Sequence, residues 1–164
     1  MNKSRGFTLL EIMVVVLIIG IILSFATLSF RDNRVPALKE EAQRLAALLD
    51  LAREEAILTS REYSVTLKET GYDFQQFLEE EWSPLVDDKT LRARELPKGM
   101  ILEADLEGES ILFGGEEEVR LYIFSSGELT PFDLFLRYDG ETEGFHVVGQ
   151  ITGKIEFKDP QKEQ

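Results

Sequence analysis

The chain has 164 residues, with 18 Lys and Arg against 31 Asp and Glu, and its formal net charge at pH 7 is −13. A surface this acidic repels phosphate backbones, which argues against a nucleic-acid partner. Because Cys is absent, no disulfide framework can stabilise the fold, and stability must come from a packed core.

The first predicted element is an apolar helix over residues 7–30, a stretch that contains no Lys, Arg or Asp and a single Glu, Glu11. At about 1.5 Å per residue this helix would extend roughly 36 Å, enough to span the hydrocarbon core of a bilayer. Lys3 and Arg5 precede it. The positive-inside bias therefore predicts a cytoplasmic N-terminus, with the rest of the chain across the membrane.

Glu11 is the unusual residue of this helix. A carboxylate at such a depth costs about 2.5 to 3.5 kcal/mol on insertion scales, so a functional role is predicted for it. Two alternatives stay open. One is an ordinary secretory signal with Ser24-Phe25-Ala26 as its cleavage site. The other is a plain membrane anchor in which Glu11 lies at the headgroup level and has no role.

The string KSRGFTLLEIMVVVLIIG, residues 3–20, resembles the class III leader and methylation motif of type IV pilins and pseudopilins. The resemblance implies a leader peptide over residues 1–6. It also implies that a prepilin peptidase cleaves between Gly6 and Phe7 and that the new amino terminus of Phe7 is methylated. The mature chain would then be residues 7–164.

Cleavage after Gly6 would create an α-amino cation at Phe7, one helical turn before Glu11. A cation and a carboxylate about 4 Å apart attract by roughly 4 kcal/mol at an effective dielectric constant near 20, which offsets the burial of the charge. If the cation belongs to a neighbouring subunit, the pair sets the axial stagger of a filament. Glu11 is therefore predicted to be an assembly residue.

The next predicted element is an amphipathic helical stalk over residues 31–59. Pro36 disfavours helical geometry at Val35, so we expect either a kink or a new helix with Pro36 in its first turn. From residue 37 to 58, apolar residues recur every three or four positions and predict a stripe that packs on a sheet. The stripe contains Leu38, Ala42, Leu45, Leu49, Ala52 and Ala56, widened by Leu48, Leu51 and Leu58.

Residues 60–164 predict a β-rich domain. Alternation over residues 63–68, a turn at Glu69-Thr70-Gly71 and residues 72–74 together indicate a hairpin. A longer, partly extended connection containing Trp82 follows. Further strands are predicted over residues 100–102, 111–113, 119–124, 132–138, 145–148 and 154–157. Six to eight strands after one long helix predict an α+β, pilin-like fold with antiparallel sheets packed against the helix.

Several segments of this domain resemble the soluble domain of the type II secretion protein H family. They are residues 71–74 followed by a Trp-containing strand, residues 91–99, residues 124–132 with a hydrophobic strand at 132–136, and residues 148–155. Together with the N-terminal motif, the resemblance covers nearly all of the mature chain. It implies a minor pseudopilin, a structural subunit at or near the tip of a short periplasmic pseudopilus that assists the export of folded proteins across the outer membrane. The subunit would cross the inner membrane once, with its C-terminal domain in the periplasm. Implied partners are other minor pseudopilins, the major pseudopilin, the inner-membrane assembly platform and the prepilin peptidase.

Catalytic chemistry is not indicated, and we predict no enzyme, cofactor or metal. His146 is the only histidine and is predicted to face solvent on a strand. The acidic runs 79–81 and 116–118 lack the spacing of a calcium loop and are predicted to be solvated turns.

The alternative function is a minor type IV pilin involved in pilus assembly or DNA uptake. A DNA binder would carry a basic stripe, typically near its C-terminus, whereas residues 153–164 are mixed in sign.

Overall fold

The computed structural model describes residues 9–29, 33–85, 88–115 and 118–160, and within the first helix it describes the side chains of residues 9–20. The chain forms two compact units, Met1–Val35 and Pro36–Gln164.

In the first unit, helix α1 extends from Leu9 to Ser29 and carries Glu11 in its first turn. Of the helices in the part of the chain that the structure describes, none is long and apolar enough to cross a membrane. The transmembrane segment predicted over residues 7–30 begins and ends outside the described residues, and its passage through a membrane stays a prediction.

Helix α2 extends from Arg34 to Thr59. Pro36 lies in its first turn, which is one of the two arrangements predicted for this proline. Proline is tolerated there because the first helical turn needs no backbone donor. Leu58 is 78% exposed, so its predicted place in the apolar stripe is wrong. At 100° per residue, Leu58 lies about 200° around the helix from the buried Ala56. The buried residues of α2 are Leu38, Glu41, Ala42, Leu45, Leu48, Leu49, Ala52 and Ala56.

The described residues of the second unit form ten strands. They are β1 (Tyr63–Lys68), β2 (Gly71–Leu78), β3 (Glu81–Pro84), β4 (Arg94–Glu95), β5 (Met100–Leu106), β6 (Glu109–Ile111), β7 (Val119–Ile123), β8 (Phe132–Tyr138), β9 (Gly144–Gly149) and β10 (Ile155–Lys158). The first sheet has the order β3-β2-β1-β7, with β4 also beside β2, and the second has the order β10-β9-β8-β5-β6. All pairings are antiparallel.

The predicted hairpin is confirmed, with Lys68 opposite Gly71 across the turn. β8 has the bounds predicted for it. The strand predicted over residues 111–113 is wrong beyond Ile111, where β6 ends, and Leu112 is 91% exposed. β3 is the Trp-containing strand that the family resemblance implied, whereas β4 lies in the stretch predicted as a partly extended connection, because its pairing with β2 is tertiary and short.

Both sheets share one core with α2. The fully buried residues of this core include Leu45 and Leu49 from the helix, Phe74 and Leu121 from the first sheet, and Leu134 from the second. The small side chains of Ser64 and Thr66 on β1 are also buried, although they alternate with the core residues. For Ser64 the cause is its position between the longer cross-strand neighbours Gln75 and Tyr122. The predicted α+β architecture is confirmed.

Candidate functional site

The predicted assembly residue, Glu11, lies near the start of the described part of α1. Its neighbours Leu10 and Ile12 are 72% and 50% exposed. Gly6 and Phe7, the predicted cleavage and methylation residues, lie outside the described residues. The pairing of Glu11 with the Phe7 amine therefore stays a prediction.

Apolar side chains are exposed all around the described half of α1. Leu9 is 80% exposed, Met13 66% and Leu17 64%, and no described residue from 9 to 20 is buried. A helix that is apolar on every side needs a covering of lipid or of other helices. Glu11 is the only charged residue in this described stretch.

In the second unit, two of the segments that carry the family resemblance contact each other at what we call the glycine junction, the turns at Gly127 and Gly153. Both glycines have positive φ, +87° and +86°. The Gly153 N–H donates to the carbonyl of Gln150 over 2.8 Å. A Cβ on Gly153 would overlap the backbone carbonyl of Gly127. Glycine is required at residue 153 both by backbone conformation and by close approach.

The glycine junction contacts the end of α2 and the connection that follows it, residues 60–62. The carboxylate of Glu62 accepts hydrogen bonds from the Ser125 N–H at 3.0 Å and from the Ser125 hydroxyl at 2.8 Å. Gly127 lies against Ile57 of α2, whose Cδ1 would be 3.0 Å from an added Cβ. Ser125 thus positions the loop, a role that its place in a turn did not reveal from the sequence.

We expect Gly153→Ala to destabilise the second unit by about 2 to 4 kcal/mol, because the new methyl group meets a fixed carbonyl at a left-handed backbone position. Gly140→Ala is the matched control, since Gly140 has φ +78° but open space around it. Gly140→Ala is expected to lower the free energy of unfolding by only about 1 to 2 kcal/mol. Urea unfolding of the full chain in detergent, followed by Trp82 fluorescence, measures both. Equal losses would contradict the close approach at the junction.

His146 is on β9, and its side chain is 40% exposed, as expected for a strand histidine that faces solvent. Its Nδ1 lies 2.7 Å from Asp133 Oδ1, and its ring stacks on Phe135 at 4.5 Å. Within the described ranges no group of three or more His, Asp or Glu side chains is arranged to hold a metal. Residues 79–80 form the turn between β2 and β3, but Glu81 is the first residue of β3, so the predicted turn is one residue too long. Residues 116–117 lie outside the described part.

An aromatic cluster lies on one face of the first sheet. Trp82 contacts Phe77 at 5.1 Å and Tyr122 at 5.7 Å between ring centroids. The guanidinium of Arg120 lies 5.5 Å from the Trp82 ring. Sequence reasoning missed this cluster, because β3 brings Trp82 beside the other rings only through its pairing with β2.

Comparisons with known proteins cover both units. Residues 1–27 match the family model described as the prokaryotic N-terminal methylation motif, and residues 41–153 match the one described as type II transport protein GspH. Type II secretion system protein H of Pseudomonas aeruginosa is 35% identical over 153 residues, which cover 85% of this chain and 87% of that protein. The protein of the same name from Aeromonas hydrophila is 32% identical over 154 residues, covering 85% of this chain and 84% of the relative.

Solved structures agree. A crystal structure of the minor pseudopilin EpsH from the type II secretion system of Vibrio cholerae is 28% identical, with a TM-score of 0.64, and the match covers 75% of this chain and 94% of EpsH. The type IV minor pilin FimU of Pseudomonas aeruginosa, 21% identical with a TM-score of 0.55, shares the fold; that match covers 79% of this chain and 94% of FimU. The resemblance inferred from the sequence is confirmed, and the chain belongs to the GspH family of type II secretion minor pseudopilins.

Proposed function

We propose that this minor pseudopilin is a structural subunit at or near the tip of a type II secretion pseudopilus, where it assists the export of folded proteins across the outer membrane. The observation that carries the proposal is the apolar surface of α1 with Glu11 in its first turn. Such a surface needs a covering of lipid before assembly and of neighbouring helices afterwards. The role is structural and requires no catalytic residues.

The proposed topology begins with a leader over residues 1–6 in the cytoplasm. Residues 7–30 cross the inner membrane once, residues 31–59 form the stalk, and residues 60–164 form the β-rich domain in the periplasm. Lys3 and Arg5 support this orientation through the positive-inside bias. The prepilin peptidase cleaves between Gly6 and Phe7, and Phe7 is then N-methylated.

Assembly then depends on charge pairing. The amino group of Phe7 on one subunit meets the carboxylate of Glu11 on a neighbour, and the attraction of roughly 4 kcal/mol offsets the burial of both charges. The apolar helices leave the lipid together and form the core of the fibre. The proposed partners in this step are other minor pseudopilins, the major pseudopilin and the inner-membrane assembly platform.

Mass spectrometry of the mature amino terminus tests the processing step. In cells that contain a prepilin peptidase we expect a chain that begins with N-methylated Phe7. A Gly6→Val variant should keep residues 1–6, because a branched side chain at the cleavage site blocks the peptidase. A wild-type chain that begins at Thr27 would instead support ordinary signal-peptide cleavage and overturn the proposal.

A further inference from the structure

A cleft of about 610 Å³ lies where α2, the turn between β1 and β2, and β4 come together. Ionisable side chains from all three elements line it: Glu41 and Arg44 from α2, Lys68 from β1, and Arg92, Arg94 and Glu95 at β4. All the residues that line the cleft belong to the second unit.

The lining of the cleft is cationic, although the chain as a whole carries a net charge of −13. Arg44 pairs with Glu41 and with Glu40. The other three cations, Lys68, Arg92 and Arg94, form no ion pair with a carboxylate of the described residues. Three cations without carboxylate partners thus converge on one cleft of a protein in which acids far outnumber bases.

Local packing holds the two arginines in place. Leu91 and Leu96, on either side of them, are 1% and 8% exposed and belong to the core. The Asp88 carboxylate accepts the N–H groups of Thr90 at 2.6 Å and Leu91 at 2.9 Å. The backbone that carries Arg92 and Arg94 is therefore held in place before a partner binds, so less backbone entropy is lost on binding.

β4 approaches β2 closely at Gly71, where an added Cβ would meet the carbonyl of Arg94. Beside this contact, the Nε of Arg94 is buried and has no hydrogen-bond partner among the described residues. Tyr72 also lines the cleft. Burial first, and the charge of Glu41 second, raise the pKa of Tyr72, so its hydroxyl stays neutral and adds no negative charge beneath the cations.

We propose that this cleft binds an extended acidic segment of a neighbouring protein subunit, whose carboxylates pair with Lys68, Arg92 and Arg94. The planar guanidinium groups suit carboxylates because they can donate two parallel hydrogen bonds. β4 pairs with β2 alone among the described strands, and its other edge forms no strand pairing there, as the addition of an extended chain would require. The assignment of the segment to a pseudopilus subunit rests on the proposed function, whereas the charge complementarity does not.

The test uses the full chain in detergent and a fluorescent, end-capped peptide of alternating Glu and Val, with anisotropy as the readout. Lys68→Gln combined with Arg92→Gln should weaken peptide binding roughly tenfold, since two ion pairs are lost. Both side chains are exposed, so folding is not at risk. The matched control, Arg61→Gln combined with Lys158→Gln, removes the same charge from exposed positions away from the cleft and should bind as the wild type does.

Three results would overturn the proposal: equal binding of a peptide with Gln in place of Glu, equal loss in both double variants, or displacement of the peptide by inorganic phosphate at the peptide's own concentration. The last result would indicate a site for small anions. Because the assay requires neither processing nor export, its failure would leave the proposed role of Glu11 intact. Conversely, normal assembly without Glu11 would leave peptide binding untouched.

Discussion

Glu11→Ala is expected to abolish incorporation of the chain into the pseudopilus while the second unit stays folded. Alanine removes the proposed attraction to the Phe7 amine of a neighbour, about 4 kcal/mol, which corresponds to roughly a thousandfold in the pairing equilibrium. The substitution also makes the helix more stable in lipid, because no charge is then buried there. Both effects favour the unassembled subunit. Cross-linking to neighbouring subunits and export of a secreted protein measure the loss.

Companion variants separate charge from volume at this position. Glu11→Gln keeps the size and hydrogen bonding of the side chain but not its charge. Like Glu11→Ala, it should not be incorporated into the pseudopilus. Glu54→Ala is the matched control, because Glu54 is an exposed acid on α2 and its loss changes the net charge equally. It should assemble normally. If Glu11→Ala is cross-linked to its neighbours and supports export as the wild type does, the assembly proposal loses its physical basis.

Phe74→Ala is expected to lower the free energy of unfolding of the second unit by about 3 to 5 kcal/mol. Phe74 on β2 is fully buried and meets the Tyr72 ring edge-to-face at 5.8 Å between centroids. Truncation would leave a cavity between α2 and the first sheet. Since domains of this kind are stable by only about 5 to 15 kcal/mol, the loss is a large fraction of the total. Thermal unfolding followed by circular dichroism measures it.

Phe77 provides the control on the same strand. It is 39% exposed and contacts Trp82 on the outer face. Phe77→Ala should cost about 1 kcal/mol, close to the energy of a partly exposed aromatic pair. A loss as large as that of Phe74→Ala would mean that the outer aromatic cluster stabilises the fold as strongly as the core does.

Regular periodicity was the reliable guide to the fold. The apolar residues of α2 that recur every three or four positions are buried, from Leu38 to Ala56. Alternation and a short turn likewise located the β1–β2 hairpin. These elements follow the sequence because burial of one face dictates the pattern of the residues themselves.

Predictions failed where the outcome depends on distant partners. β3 and β4 have too few residues to show a clear alternation of apolar and polar side chains, and pairing with β2 stabilises both strands. The sequence pattern gave no indication that Glu41 is buried. It is 4% exposed, and Arg44 and the Tyr72 hydroxyl lie beside its carboxylate. Leu112 is apolar yet exposed, since β6 ends one residue earlier.

The sequence by itself determined the N-terminal methylation motif over residues 1–27, the lone charge of Glu11 in an apolar run and the acidic charge of the chain, because these are local features of the sequence. Family membership was also readable from short segments with glycine and proline at set places. Only the tertiary structure decided that the turns of Gly127 and Gly153 touch, and that the unpaired cations Lys68, Arg92 and Arg94 share a cleft. These residues are far apart along the chain or on different elements, and only strand register and helix packing bring them within reach of one another.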